Sequence, residues 1–185
     1  MTHPTVPARS RWLSTMLALF LVSLVLGACG GASQPSTAAM SGAWVGKVEG
    51  TDAFIGIASN GEEAMVYVCD GKTITQWFHG PAGSNGLDLS AGSARLETQL
   101  ATDSATGSIT LADGRAVEFQ AARAAGDAGL YRSEETVDAE KWTAGWVVLN
   151  DGQLRGLRAS STGTLEPQSS LKAGAGRIEP DAKPY

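Results

Sequence analysis

Cysteine, aspartate and histidine follow one another in Tyr67-Val-Cys-Asp-Gly-Lys-Thr-Ile-Thr-Gln-Trp-Phe-His79, an order that a thiolate nucleophile with a histidine base could use. A thiol attacks only as its anion, and the one cation close to Cys69 in the chain is Lys72, across an Asp-Gly turn. His79 is the only histidine after His3, so every Ser-His-Asp or Cys-His mechanism would have to pass through it. No Gly-x-Ser-x-Gly elbow accompanies it. A surface histidine beside an unreactive thiol is the better reading, and no catalytic residue is assigned. Zinc needs several His or Cys ligands at close spacing, and beyond Cys29 the chain offers Cys69 and His79 alone. The Asp-x-Asp-x-Asp-Gly pattern of a calcium loop is absent, so neither a metal nor another cofactor is expected. Glu62-Glu63 and Glu134-Glu135 read most simply as solvated charges. Glycoside hydrolysis is set by carboxylate separation in the fold and leaves no short motif, so a hydrolase built on loop carboxylates stays as an alternative.

Aromatic contact is the other chemistry available. Strand tryptophans and phenylalanines usually fill cores, but Lys141-Trp-Thr-Ala-Gly-Trp146 places two tryptophans around what reads as a loop leading into a strand. Amphipathic aromatics at a rim concentrate ligand and partner contacts. Trp142 and Trp146, with His79, are therefore the ligand-binding candidates, and Trp142 is expected to be exposed.

Arg9 and Arg11 precede a weakly polar to apolar run, Trp12 to Leu26, which ends in Leu26-Gly-Ala-Cys29. The apolar centre, residues 17–26, is too short for a helix crossing the ~30 Å bilayer core, which takes about 20 residues. Charged start, short apolar centre and small-residue end make residues 1–28 an export signal. The ending LGAC resembles the lipobox of bacterial lipoproteins, in which a small residue precedes a cysteine that becomes the lipidated mature N-terminus. That resemblance implies acylation of Cys29, with palmitate-class chains holding the protein to the outer face of the cell membrane. Gly30 in place of aspartate, by the same resemblance, permits sorting to an outer membrane. Two or three acyl chains anchor firmly where one is marginal, each buried methylene contributing about 0.8 kcal/mol.

Removal of the signal leaves 185 − 28 = 157 residues, enough for one domain with its own core. Residues 29–41 carry the lipid site and a small, polar stretch too poor in apolar groups to fold, so a tether is expected there. A β-domain is placed at 42–158 and a tail at 159–185, the latter rich in Ser, Gly, Ala and Pro but able to hold one closing strand. With Cys29 acylated, Cys69 has no partner for a disulfide. Net charge is −5 and the basic residues are scattered, which argues against nucleic acid as a partner.

From Gly42 onward, short apolar or alternating runs are separated by turn residues, and the chain holds 23 glycines. Eleven strands are read between Ala43 and Arg158. The stretch 133–142, with a serine start, early acids and a late lysine, fits one short helix or, equally, an acidic loop. Asp-Gly recurs at 70, 113 and 151 between paired apolar runs, as in Val66-Tyr-Val-Cys-Asp-Gly-Lys-Thr-Ile74 and Ile109-Thr-Leu-Ala-Asp-Gly-Arg-Ala-Val117. A two-residue turn would split the apolar sets between faces. A three-residue loop, Cys69-Asp-Gly71 in the first copy and Ala112-Asp-Gly114 in the second, with glycine in the left-handed region, puts Cys69 at a loop tip and keeps Val66, Val68, Ile74 and Phe78 together, and likewise Ile109, Leu111, Val117 and Phe119. Val66 is then expected opposite Ile74, while the third copy fits less well because Leu154 and Arg155 alternate the other way.

The expected fold is all-β: an antiparallel up-and-down barrel or a sandwich of about 8–11 short strands. Gly42-Ala-Trp44 is similar to the Gly-x-Trp start of lipocalin-type barrels, which implies that Trp44 caps the barrel floor. The expected role is a non-enzymatic binding or scaffold module of the cell envelope, with the membrane and a small ligand or envelope protein as partners. A lipocalin-like carrier of an apolar ligand and the hydrolase are the alternatives. A carrier would need an empty interior, a scaffold a filled one.

Overall fold

The structure is a computed structural model, and it describes residues 40–180. Cys29 and the export signal lie outside the described residues.

All-β architecture follows from the pattern of short runs and turns. Thirteen strands and no helix occur among the described residues: β1 (Ser41–Val48), β2 (Phe54–Asn60), β3 (Glu63–Cys69), β4 (Thr75–Pro81), β5 (Gly86–Ala91), β6 (Ala94–Leu100), β7 (Ser104–Thr110), β8 (Ala116–Arg123), β9 (Gly129–Val137), β10 (Glu140–Val148), β11 (Leu154–Ser160), β12 (Leu165–Pro167) and β13 (Gly176–Arg177). Every one of the eleven strands expected from the sequence has its counterpart. The segment after Ala159 adds β12 and β13, two short strands in a stretch read as a tail able to hold one.

Eight strands form one antiparallel sheet in the order β4-β3-β2-β1-β8-β7-β6-β5. Since β4 and β5 are consecutive in the chain, this is an up-and-down meander curled almost into a closed barrel. At the seam the two strands are joined by a tight turn in which Gly83 and Gly86 exchange backbone hydrogen bonds, and Leu89 packs so close to Gly80 that a Cβ there would lie 2.9 Å from it. Trp44, Ile55, Ile57, Val66, Val68, Phe78, Leu96, Ile109 and Phe119 fill the interior. Trp44 closes one end: its indole N–H donates to the Ala101 carbonyl at 3.1 Å, and the Arg123 guanidinium lies 5.3 Å from its ring.

A second sheet, β12-β11-β10-β9-β13, packs its inner face on the outside of β1–β3. Val45, Phe54, Tyr67 and Cys69 meet Leu130, Val147, Leu149 and Leu157 there in a second core. Strands β2 and β3 are thus covered on both sides. Their near-continuous apolar runs, FIGIASN and EAMVYVC, have this cause, because a strand with one solvated face would alternate.

The stretch 133–142 is neither helix nor loop. It is the β9–β10 hairpin, closed by a two-residue turn at Asp138 and Ala139 with φ of 49° and 67°. Both central residues of such a mirror-image turn need positive φ, and Asp-Ala lacks the glycine that would announce it. The acids that resembled a helix start are instead cross-strand partners: Glu134 pairs with Lys141 at 2.8 Å.

The second Asp-Gly loop has the expected form. Leu111 N–H donates to Arg115, Gly114 N–H donates back to Leu111, and Gly114 has φ of 86°. The third copy closes in the same way around Asn150-Asp-Gly152, contrary to the doubt raised by Leu154. Leu154 pairs with Val148 on the outer face of β10, a face that is itself covered, so both alternations are apolar. The first loop departs in register. Val66 stands opposite Phe78 rather than Ile74. The loop is Gly71-Lys-Thr73, because the Asp70 carboxylate accepts the N–H groups of Lys72, Thr73 and Ile74, each at 2.8 Å. The slip is four residues, an even number, so Val66, Val68 and Phe78 still share the barrel interior and Ile74 packs against it.

Candidate functional site

Cys69 and His79 do not form a pair. Cys69 stands opposite Thr75 and His79 opposite Met65, four residues further along β4, or about 13 Å at the strand rise. Cys69 ends β3 in the second core and is fully buried, which corrects its expected place at a loop tip. Burial pushes its thiol pKa up, and its Sγ accepts the Gly71 N–H at 3.2 Å. A neutral, enclosed thiol is a poor nucleophile. His79 lies on the outer face of β4, half-exposed, with its Nε2 3.6 Å from a Glu63 carboxylate oxygen.

The tryptophan candidates sit mid-strand in β10, and both are buried. Trp142 is 8 % exposed and Trp146 0 %, so the expectation of an exposed rim tryptophan at 142 is corrected. Strand alternation explains the arrangement. Gly145 and Val147 face the barrel, whereas Trp142, Ala144, Trp146 and Val148 face away from it with Ser160, Arg158 and Gly156 of β11 and Glu135 and Tyr131 of β9.

This outer face is a constructed surface. Arg158 lies 4.4 Å from the Trp142 ring and donates to Glu166 of β12 at 2.8 Å and to Glu135 of β9 at 2.9 Å. Both carboxylates, Glu166 foremost and against the effect of burial, hold the guanidinium pKa above its ordinary value. Glu135 also receives Lys172, which is the main reason its own pKa is lowered. The Trp146 indole packs against Gly156, where a Cβ would stand 2.2 Å from its Cδ1 and 2.7 Å from the Gln168 carbonyl oxygen. Only glycine fits there. Residues 168–175 run from the β11 side of the sheet, at β12, to the β9 side, at β13, and cover this face on the way. Sequence reasoning named Trp142 and Trp146 but missed Arg158, Glu135, Glu166, Gly156 and Lys172, because their meeting depends on strand register and on the path of a segment read as tail.

Two other concavities are shallow. An open groove of about 700 Å³ crosses β5–β8, with Asp88, Glu97, Glu118 and Glu49 among its lining residues, and Arg95 pairs with Asp88 and Glu97 at its edge. A smaller recess of about 290 Å³ lies between the β3–β4 and β7–β8 loops, lined by Ile74, Leu111, Asp113 and Arg115. Among the described residues no group of three or more His, Cys, Asp or Glu side chains is arranged to hold a metal ion. No family model, curated protein or solved structure matches the chain.

Proposed function

We propose that this chain is an exported lipoprotein, anchored through Cys29, whose β-domain is a binding or scaffold module of the cell envelope. The anchor rests on the signal and lipobox pattern of residues 1–29. The observation that carries the module reading is the filled barrel: Trp44, Ile55, Ile57, Val66, Val68, Phe78, Leu96, Ile109 and Phe119 are each at most 1 % exposed. Side chains of that bulk, in contact across an eight-stranded sheet, favour a scaffold over a carrier of an apolar cargo. What remains for recognition is the outside, where the second sheet holds Trp142 under the Arg158 guanidinium and Trp146 beneath residues 168–175.

Native mass spectrometry of the protein gently extracted from its source tests the reading. The expected species is the mature chain beginning at Cys29 with the mass of its acyl groups and no stoichiometric apolar ligand. One apolar molecule retained per chain after delipidation would replace the module with the carrier.

A further inference from the structure

Residues 168–175, Gln-Ser-Ser-Leu-Lys-Ala-Gly-Ala, cover the outer face of the second sheet while burying almost nothing of themselves. Ser169 to Gly174 are all exposed, and Leu171, the one large apolar residue among them, is 40 % exposed to solvent instead of lying on the tryptophans. The attachments of this strap are three register pairs at β12, where Glu166 also takes the Arg158 guanidinium, two at β13 with the Ile178 N–H donated to the Leu130 carbonyl just beyond, the Gln168 N–H donated to the Gly156 carbonyl at 2.9 Å, and the charge contact of Lys172 with Glu135. Beneath it, Trp146 is completely enclosed, yet its indole N–H finds no acceptor among the described residues. The Gln168 carbonyl oxygen approaches the same spot over Gly156 without accepting that bond. A buried donor without a partner destabilises the covered state. The strap therefore fits the charges of this face better than it fits its tryptophan.

We propose that the outer face of the second sheet is a docking site for an extended protein segment, and that the strap occupies it in cis. This deepens the binding-module reading and rests on it. The segment it would take has the strap's own charge pattern: a carboxylate in the place of Glu166, to meet Arg158, and six residues on a basic side chain in the place of Lys172, to meet Glu135. Small residues between these two let its backbone lie close over Gly156 and bring a carbonyl to the Trp146 N–H. An incoming segment that satisfies this donor displaces one that does not, so the strap acts as a competitor built into the chain.

The test uses the full chain, with amide and indole hydrogen exchange followed by NMR and a fluorescent peptide of residues 164–179 as the probe. Lys172→Glu sets two like charges against each other, and it is expected to speed exchange of the Trp146 indole N–H at least tenfold while the β1–β3 amides stay protected. The peptide is expected to bind K172E at least tenfold more tightly than the parent chain and to restore the slow indole exchange. K172Q, which removes the charge without opposing it, should fall between. In K172E/E135K the pair is re-formed with its signs reversed, so exchange should return to within about twofold of the parent and the peptide should not bind. Unchanged indole exchange in K172E overturns the proposal, as does faster exchange with no gain in peptide affinity. Failure of the module reading is separable, since a ligand retained in the barrel appears in the mass spectrum and leaves this exchange untouched.

Discussion

Asp70 shows how one side chain decides a loop. Its carboxylate sits where three successive N–H groups converge, and the Thr73 hydroxyl donates to its other oxygen at 3.2 Å. Partial burial alone would raise its pKa, but the N–H groups of Lys72, Ile74 and Thr73 outweigh that and lower it. A depressed folded pKa means a contribution that is present above the unfolded value, near 4, and lost as pH falls through the folded one. Asp70→Ala should cost roughly 1–2 kcal/mol at neutral pH, the figure kept low because the carboxylate is largely in water. The difference should shrink as pH falls through the folded pKa, which urea melts over a series of pH values from 7 downward will show. Ala139 is the opposite case, a residue with a Cβ held at positive φ. Ala139→Gly should gain up to about 1 kcal/mol from relieved strain, read as a raised melting temperature. Cys69 should resist thiol reagents in the native state and react once the chain is unfolded, because its burial is complete.

At the level of elements, glycines mark where strands come too close for a side chain. A Cβ on Gly46 of β1 would lie 2.0 Å from the Gln120 carbonyl oxygen of β8, and one on Gly107 of β7 would lie 2.0 Å from that of Glu97 in β6. Backbone cannot move aside as a flexible side chain can. Gly46→Ala should therefore cost about 3 kcal/mol or more, at the upper end of overpacking effects, and a chemical-denaturation midpoint is the measurement. In the sequence these positions are only glycines in strands, a sign of close approach without its partner. Strand identity was legible from Ala43 to Arg158 because apolar spacing and Asp-Gly turns are local signals. Which residues face each other was legible only where the turn alone sets register, as in Leu111-Ala-Asp-Gly-Arg115. Near Asp70 a side chain competed with the backbone pattern, and at Ser133–Trp142 a turn without glycine hid a hairpin behind acids placed as in a helix. The outer tryptophan face was out of reach for a different reason. Its cover comes from residues 168–175, whose composition carries no periodic signal.

For the whole molecule, the proposed anchor and the fold are expected to be separable. Cys29→Ala should release the protein from the membrane fraction in a fractionation experiment while leaving the circular dichroism of the β-domain unchanged, since the described core begins at Met40. The two cores are not separable. Strands β1–β3 supply residues to both, Trp44 and Val48 to one and Val45 to the other within β1 alone, so loss of either sheet exposes the shared strands. The domain should melt in one transition, with calorimetric and van't Hoff enthalpies in agreement.

The double coverage of β2 and β3 also bears on how the sequence can drift. In β6, buried Ala94, Leu96, Thr98 and Leu100 alternate with exposed Arg95, Glu97 and Gln99, so every second position is free to vary. From Phe54 to Ser59 and from Ala64 to Cys69 no position is free, because every residue is buried. A library of all single substitutions, sorted for intact protein, should show tolerance with a two-residue rhythm along β6 and none along β2 and β3. The middle layer of this molecule is the part of its sequence that descent should preserve longest.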